Sequence, residues 1–596
     1  MNDEIQESIA DVYRKRQSGE ALSRQEYCLL LLDTLSDPRP FMSPHWRGRY
    51  GGVRFWTRPA PKETPKRILV LQWPSALGDA AMCSEFFSGL RTRYPSAEIS
   101  CLTGRAGAEM HRINPVIDVV IENPLDRLLG DVFQGRDIRT QPVFDEVERT
   151  ALVLADHAWD LLINLQVVPV SAALARLIRP LETIGMTLGD DGVPEILGNV
   201  WSAYLFGVSG NLLRDHNTIH RREIFCRMID CSTATTPPFR PRISNQAVGR
   251  VQALFDAHVI EDTDFVVGLA PLSTWPSKIW HRYHDLADRL AKDLGAKVIL
   301  FGAGHEEKAL RDIAKKARSR VVVAAGLPIE ALMAALCGCD LVIGNDTGPL
   351  HIACALRKKV VGIYGPTDIY EVGPLGEDWV ALQWQCCKEC FSPECHKDMT
   401  CMKAVGVDDV MRAVVTLLTE KPEIRNSRTS PQVRVWTSGT GDEKKKDAQE
   451  VACRLYFEHV ADSGAFEVQK TIGSWDADTE STETVLAACL EFKHMLEDLI
   501  RSRAGGQQSD IDGLLQLTVG RAAVLRVIRQ GSWKNYCAKI LEDVKRLCLI
   551  LEQELIDRRK EMRETVPGPL MRRGSLPGVA ELLDGGKALG RQGVLR

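Results

Sequence analysis

The chain has 596 residues, a length that at roughly 100 to 200 residues per domain allows about three to five domains. Hydrophobic residues make up 44% and charged residues 26%, which excludes a disordered or collagen-like chain. Lys and Arg number 75 against 79 Asp and Glu, a formal net charge of -4, so no overall basic field is available to nucleic acid and such a partner is not expected.

The opening MNDEIQESIADVYRKR is charged throughout and does not read as a signal peptide. No run of about 18 uninterrupted apolar residues occurs, and the nearest candidate, 321–344, is broken by Pro328, Glu330 and Asp340. A soluble cytoplasmic chain is therefore expected, with the inner face of the cytoplasmic membrane as the place of any peripheral contact. Residues 1–35 read as one or two amphipathic helices, carrying Ile5, Ile9 and Val12 and then the apolar run Cys28–Leu32. Residues 36–66 mix Pro, Gly, aromatic and basic residues and suit a loop or short strands. Their stretch from His45 to Trp56 could touch an anionic partner, but aromatics packed on the domain beside a solvated linker are the simpler reading.

From Arg67 the rhythm changes. RILVLQW reads as a buried strand, followed by a turn and a helix from Asp79 to about Arg93. Then come AEISCLTG, a helix in AGAEMHRIN, IDVVIENP, the strand WDLLINLQ at 159–166 and the helix VSAALARLI. A second series begins near 264 with DFVVGLAP, AKVILFGAG, RVVVAAG, DLVIGND and KVVGIYGP, separated by helices at 281–294, 305–317, 329–337 and 348–356. Continuous apolar strands alternating with helices signal parallel sheets covered on both faces. The predicted fold class is α/β: two Rossmann-like domains, 67–239 and 240–421, with an N-terminal extension at 1–66. The polar, turn-rich stretch 422–446 reads as a linker, 447–564 as a helical domain, and 565–596 as a poorly ordered tail. The C-terminal helices read as the core of that domain, with a homo-oligomer contact as the other use for their apolar faces.

Four segments fall where open α/β sheets bind ligands, beyond the carboxyl ends of strands. In Trp73-Pro74-Ser75-Ala76-Leu77-Gly78-Asp79 the carboxylate of Asp79 either projects into a cleft or caps its helix. In Gly344-Asn345-Asp346-Thr347-Gly348-Pro349 a helix opens with free N–H groups suited to a phosphate, though Asp346 or Thr347 could simply be a cap. Ser273, Thr274 and Lys278 in the segment 273–280 could bind anionic oxygens, whereas an isolated Lys is more often a solvated charge. Glu306, in Phe301-Gly302-Ala303-Gly304-His305-Glu306, could hold a ribose hydroxyl or merely start a helix, and the missing third Gly disfavours a dinucleotide oxidoreductase. Separately, Cys387, Cys390, Cys395 and Cys401 lie close together, with Cys386 and His396 nearby. Four thiolates at that spacing suit one Zn or Fe ion, and a reduced, metal-free loop is the alternative. The remaining cysteines, such as Cys83, Cys354 and Cys548, sit in apolar segments and read as buried thiols.

The order ILVLQWPSALGDA, WDLLINLQ, PLSTWPSKIW, LVIGNDTGPLHIA, VGIYGPTD resembles the lipopolysaccharide heptosyltransferases, glycosyltransferase family 9, over about 67–420. The resemblance implies a GT-B fold, with an acceptor-side first domain and a second domain that binds a nucleoside-diphosphate sugar, ADP-heptose in most members. It implies Asp79 as general base, Lys278 as the cation beside the diphosphate, and Thr347 and Gly348 as pyrophosphate-binding amides. It further implies Asp346 as a donor-sugar contact, Ser273 and Thr274 as the hydroxyl pair, and Glu306 as the ribose ligand. The acceptor would be a hydroxyl of a glycan, a lipid-linked sugar or a protein. Its identity and the stereochemical course at C1 are not written in these residues. Many members resemble the Cys-rich segment too, ending in Cys-Met as Cys401-Met402 does, and some protein-directed members bind iron there, so a structural Zn or Fe is implied. No catalytic cofactor is expected, and the pair Asp476 and Asp478 in the C-terminal extension is set aside as chance. The rival from another class is a non-catalytic nucleotide-sugar-binding or scaffold protein, which retention of both Asp79 and Lys278 argues against.

Overall fold

The computed structural model describes residues 2–36, 53–57, 64–133, 135–209, 217, 219–231, 236–376, 378–384, 390–419, 433–437 and 470–472. The helices expected at 447–461, 480–503, 509–530 and 533–562, the tail 565–596, Asp476, Asp478 and Cys548 lie outside the described residues, as do residues 45–50.

The first sheet is built from β1 (Val53–Thr57), β2 (Arg67–Gln72), β3 (Glu98–Thr103), β4 (Val119–Glu122), β5 (Leu161–Asn164), β6 (Glu182–Leu188) and β7 (Pro194–Gly198). β4, β3, β2, β5 and β6 are parallel neighbours, while β6 and β7 form an antiparallel pair. The second sheet contains β8 (Val266–Ala270), β9 (Lys297–Gly302), β10 (Val321–Ala325), β11 (Leu341–Asn345), β12 (Lys359–Tyr364), β13 (Trp379–Trp384) and β14 (Val433–Thr437), in the order β10-β9-β8-β11-β12-β13-β14. All its pairs are parallel except β13 with β14, so part of the stretch read as a linker closes this sheet as an edge strand. A further strand, β15 (Lys470–Ile472), pairs antiparallel with β1 and completes the order β15-β1-β7-β6-β5-β2-β3-β4.

The strands are parallel because helices cover both faces, which is why β2, β8 and β11 read as unbroken apolar runs. β8 and β11 are buried along their whole length. The N-terminal helices Asn2–Ser18 and Arg24–Ser36 pack Ile5, Ile9, Val12 and Leu30–Leu32 into the same core as the helix Pro169–Ile178 and strands β2, β5 and β6. Tyr13 Oη donates to Asp33 Oδ2 at 2.8 Å, tying the first of these helices to the second. Arg54 of β1 is paired with Asp191 and Glu195, so this member of the basic-aromatic stretch serves the domain rather than an outside anion.

One predicted element divides. The helix expected from Asp79 to Arg93 is two, Leu77–Met82 and Ser84–Arg93, meeting at Cys83. The cause is a change of packing partner. Ala80, Ala81 and Met82 are buried among residues of the second domain such as Leu350, Ile352 and Ala353, whereas Phe86, Phe87 and Leu90 pack on Ile68 and Val70 of β2. Two Rossmann-like domains joined in this way form the GT-B arrangement.

Candidate functional site

The second domain supplies the more tightly determined half. β11 ends at Asn345, which is fully buried. Its Nδ2 donates to the Pro271 carbonyl at 2.7 Å, and its Oδ1 accepts from Trp280 N at 3.2 Å and Tyr283 Oη at 3.0 Å. One amide side chain thus fixes the end of β8 and the turn carrying Lys278. Asp346 follows, 4% exposed, and both its oxygens are engaged. Lys278 Nζ donates to Oδ2 at 2.6 Å, Thr367 Oγ1 to the same oxygen at 2.8 Å, and His351 Nε2 to Oδ1 at 2.7 Å. Burial pushes the Asp346 carboxyl up, but the Lys278 ammonium and the His351 hydrogen bond outweigh it and hold it well below the usual carboxylate range. Lys278 also lies over the Trp275 ring, 4.7 Å from its centroid, a cation–π placement that limits where the ammonium can swing.

Two loops brace this half. Gln383 of β13 donates to the carbonyls of Gly365 and Thr367 at 3.2 and 2.9 Å, which holds Thr367 against Asp346. The turn Pro276–Lys278 leans on the Cys-rich segment: Ser277 Oγ donates to the Ser392 carbonyl at 2.5 Å and Ser277 N to the Pro393 carbonyl at 3.2 Å.

In the first domain Asp79 stands in the first turn of Leu77–Met82 with its side chain 29% exposed. Its Oδ2 accepts from Ala76 N at 3.0 Å, and its Oδ1 faces Arg221 Nη1 at 3.4 Å. The bond to the helix start and the contact to Arg221 therefore coexist on one carboxylate. Arg221 opens the helix Arg221–Met228, whose preceding residue His220 accepts from Arg222 N on its Nδ1. His220 Nε2 then donates to the Gly373 carbonyl of the second domain at 3.2 Å, and burial first, then neighbouring Arg222, keeps this imidazole neutral and its pKa well below the ordinary value.

The two halves touch through glycines. A Cβ on Gly78 would meet His351 Cδ2 at 2.8 Å, and one on Gly348 would meet Leu77 Cδ2 at 2.9 Å. The turn after β2 and the helix Gly348–Ala355 approach this closely because neither glycine carries a side chain. Asp79 is thereby next in sequence to a residue packed on His351, which in turn bonds Asp346.

The other predicted residues divide. Thr347 is the N-cap of Gly348–Ala355 without a side-chain cap bond, so both stand at the helix start as expected. Ser273 Oγ accepts from Trp275 N at 3.4 Å, and Thr274 is exposed. Glu306 turns back on its own helix start, its Oε2 accepting from Ala303 N at 2.7 Å, which is the bland alternative weighed for it. His351 closes the segment Gly344–His351 that the sequence marks, and Thr367 stands inside VGIYGPTD, but Arg221 and Glu371 carry no local pattern.

The metal site expected at Cys387, Cys390, Cys395 and Cys401 is corrected. Among the described residues no group of three or more His, Cys, Asp or Glu is placed to hold a metal ion. The thiols have separate tasks: Cys390 is exposed, Cys395 Sγ accepts from Lys397 N and Met399 N at 3.4 and 3.3 Å, and Cys401 is buried in the apolar core beside Met402. Cys387 lies outside the described residues. Elsewhere burial pushes the Cys354 thiol up to about 12, which marks it as an inert core thiol.

The GT-B pair defines the fold, and comparison with known proteins bears on the family. Residues 149–400 match the profile of glycosyltransferase family 9 (heptosyltransferase), so the resemblance carried by the ordered motifs holds over that span. The chain is 26% identical over 170 residues to lipooligosaccharide heptosyltransferase 2 of Campylobacter jejuni, covering 27% of this chain and 54% of that protein. It is 32% identical over 111 residues to lipopolysaccharide heptosyltransferase 2 of Escherichia coli, covering 17% of this chain and 31% of that one. The matches thus span about half or less of these relatives' own length. Among solved structures, the family 9 glycosyl transferase of Veillonella parvula overlays with a TM-score of 0.48 at 22% identity, covering 61% of this chain and 100% of that one.

Proposed function

We propose that the chain is a glycosyltransferase that moves a heptose from ADP-heptose, or a similar nucleoside-diphosphate sugar, to a hydroxyl of a glycan, lipid-linked or protein acceptor. The observation that carries this reading is the series Asp79, Gly78–His351, Asp346 and Lys278, which runs from a carboxylate of one domain to a cation of the other. Asp79 accepts the proton of the acceptor hydroxyl as its oxygen bonds to C1 of the donor sugar. The bond from C1 to the diphosphate oxygen breaks, and ADP leaves with the electron pair. Lys278 and the amides at Thr347 and Gly348 stabilise the charge that develops there. Ser273 and Thr274 lie beside the same diphosphate, while Asp346 aims Lys278 and faces the donor sugar. Glu306 would reach a ribose only by leaving Ala303. A lipid-linked acceptor would draw the chain to a membrane surface; among the described residues no helix is long and apolar enough to cross one.

Calorimetry on the full chain tests the donor: ADP-heptose should bind. Asp79→Asn should lower transfer by roughly 10²- to 10⁴-fold with donor affinity retained. Full transfer by that variant would leave Asp79 as a helix cap, and failure to bind any nucleotide sugar would remove the reading altogether.

A further inference from the structure

Arg221 stands between two carboxylates that belong to different domains. Its Nη1 lies 3.4 Å from Asp79 Oδ1, and its Nη2 is paired with Glu371 Oε1. Glu371 is fully buried, in the short helix Ile369–Val372 of the second domain. A carboxylate so enclosed needs a cation, and losing that cation would leave a buried charge uncompensated. A planar fork serves both partners with two separate nitrogens in a fixed geometry, which a compact ammonium on a flexible stem does not reproduce. The second oxygen of Asp79 is already committed to Ala76 N, so Arg221 completes the orientation of this carboxylate. His220, next to Arg221, bonds Gly373 in the same second-domain segment.

We infer that Arg221 is a positioning residue that couples the seating of the second domain to the orientation of Asp79. The inference rests on Asp79 acting as the base. With the domains in this relation Glu371 holds the guanidinium, and the guanidinium holds Asp79 Oδ1 in place. If the second domain swings away, Arg221 loses its buried anchor and Asp79 its fixed rotamer, so the base is aligned only when both halves of the site are assembled. The other titratable or charged neighbours are Cys83, whose thiol faces Asp79 and Arg221, then His220, Arg222 and His351. Burial keeps the Cys83 thiol neutral, with its pKa well above the ordinary value.

The experiment compares Arg221→Gln, Arg221→Lys and Glu371→Gln in the full chain. ADP release from ADP-heptose is followed at fixed pH, donor affinity is measured by calorimetry, and amide hydrogen exchange is read at 76–82 and 369–373. Arg221→Gln should lower kcat by about 10²-fold and leave donor affinity within about threefold. Arg221→Lys should restore part of kcat, because charge returns without the fork. Glu371→Gln should move kcat in the same direction by less. Exchange should accelerate at both segments in Arg221→Gln. An unchanged kcat in that variant, with donor bound, would overturn the inference. If the wild type neither binds nor cleaves ADP-heptose, the functional reading has failed on its own. Exchange then decides the coupling alone: acceleration at both segments upholds it, and acceleration at one overturns it.

Discussion

The two halves of the site are held in different ways. Asp346 is enclosed, with Lys278, Thr367 and His351 on its two oxygens and Asn345 fixing the backbone beside it. Asp79 is about a third exposed, sits in a six-residue helix, and depends on one backbone amide and one long contact to Arg221 of its own domain. The enclosed half therefore presents a fixed charge pattern, while the open half leaves one carboxylate partly within reach of solvent. Under the proposed reaction the first would meet the diphosphate and the second the acceptor hydroxyl.

That contrast can be broken from either side. The largest stability effect is expected at Asp346→Ala, which strands Lys278 and His351 in a buried site and should cost about 3–5 kcal/mol by urea unfolding. Asp79→Ala removes only a partly exposed cap and should cost about 0.5–2 kcal/mol. Equal losses would erase the distinction.

Acid sharpens it. The folded pKa of Asp346 is depressed, so its contribution is fully present above the unfolded value, roughly 3.9, and is lost as pH falls through the folded one. The stability gap between wild type and Asp346→Asn should therefore be constant near neutrality and narrow as the pH drops below about 4. A gap that widens in acid would contradict the pairing. A smaller effect is expected where the halves meet. Gly348→Ala pushes a methyl onto Leu77, a flexible neighbour, and should cost about 1–3 kcal/mol, with Gly78→Ala against the His351 ring at the upper end. Neutral behaviour in thermal melts would mean that the domains can slide apart to admit the methyl.

How much of this was legible depends on whether the signal was local. Strands such as β8 and β11 announce themselves because burial on both faces leaves an unbroken apolar run. Lys278, Asp346 and Thr347 were found because each follows such a strand, and their meeting is what the fold adds. Arg221 and Glu371 could not be found that way. They are 150 residues apart, Arg221 lies in a charged stretch and Glu371 between Tyr370 and Val372, and only the joining of two domains makes them a pair. The helix break at Cys83 was hidden for a similar reason: 79–93 is a sound helical pattern, and the split comes from packing on two different domains. The metal site misled because spacing reports only which thiols are close in sequence, and Cys395 and Cys401 are drawn instead to backbone amides and to an apolar core.

The apolar footing of Ala80, Ala81 and Met82 also bears on how the molecule can be taken apart. These three residues, together with Phe239, Ala247 and Val251, belong to the core that includes Leu350, Ile352 and Tyr364. A cut near residue 240 would therefore not free an intact second domain. It would strip a wall from that half and leave Leu350 and Ile352 facing water, inviting the fragment to associate with itself. The unit that folds is the pair, and a gene fragment encoding either half alone should be judged by its solubility before its silence in an assay is taken as lack of function.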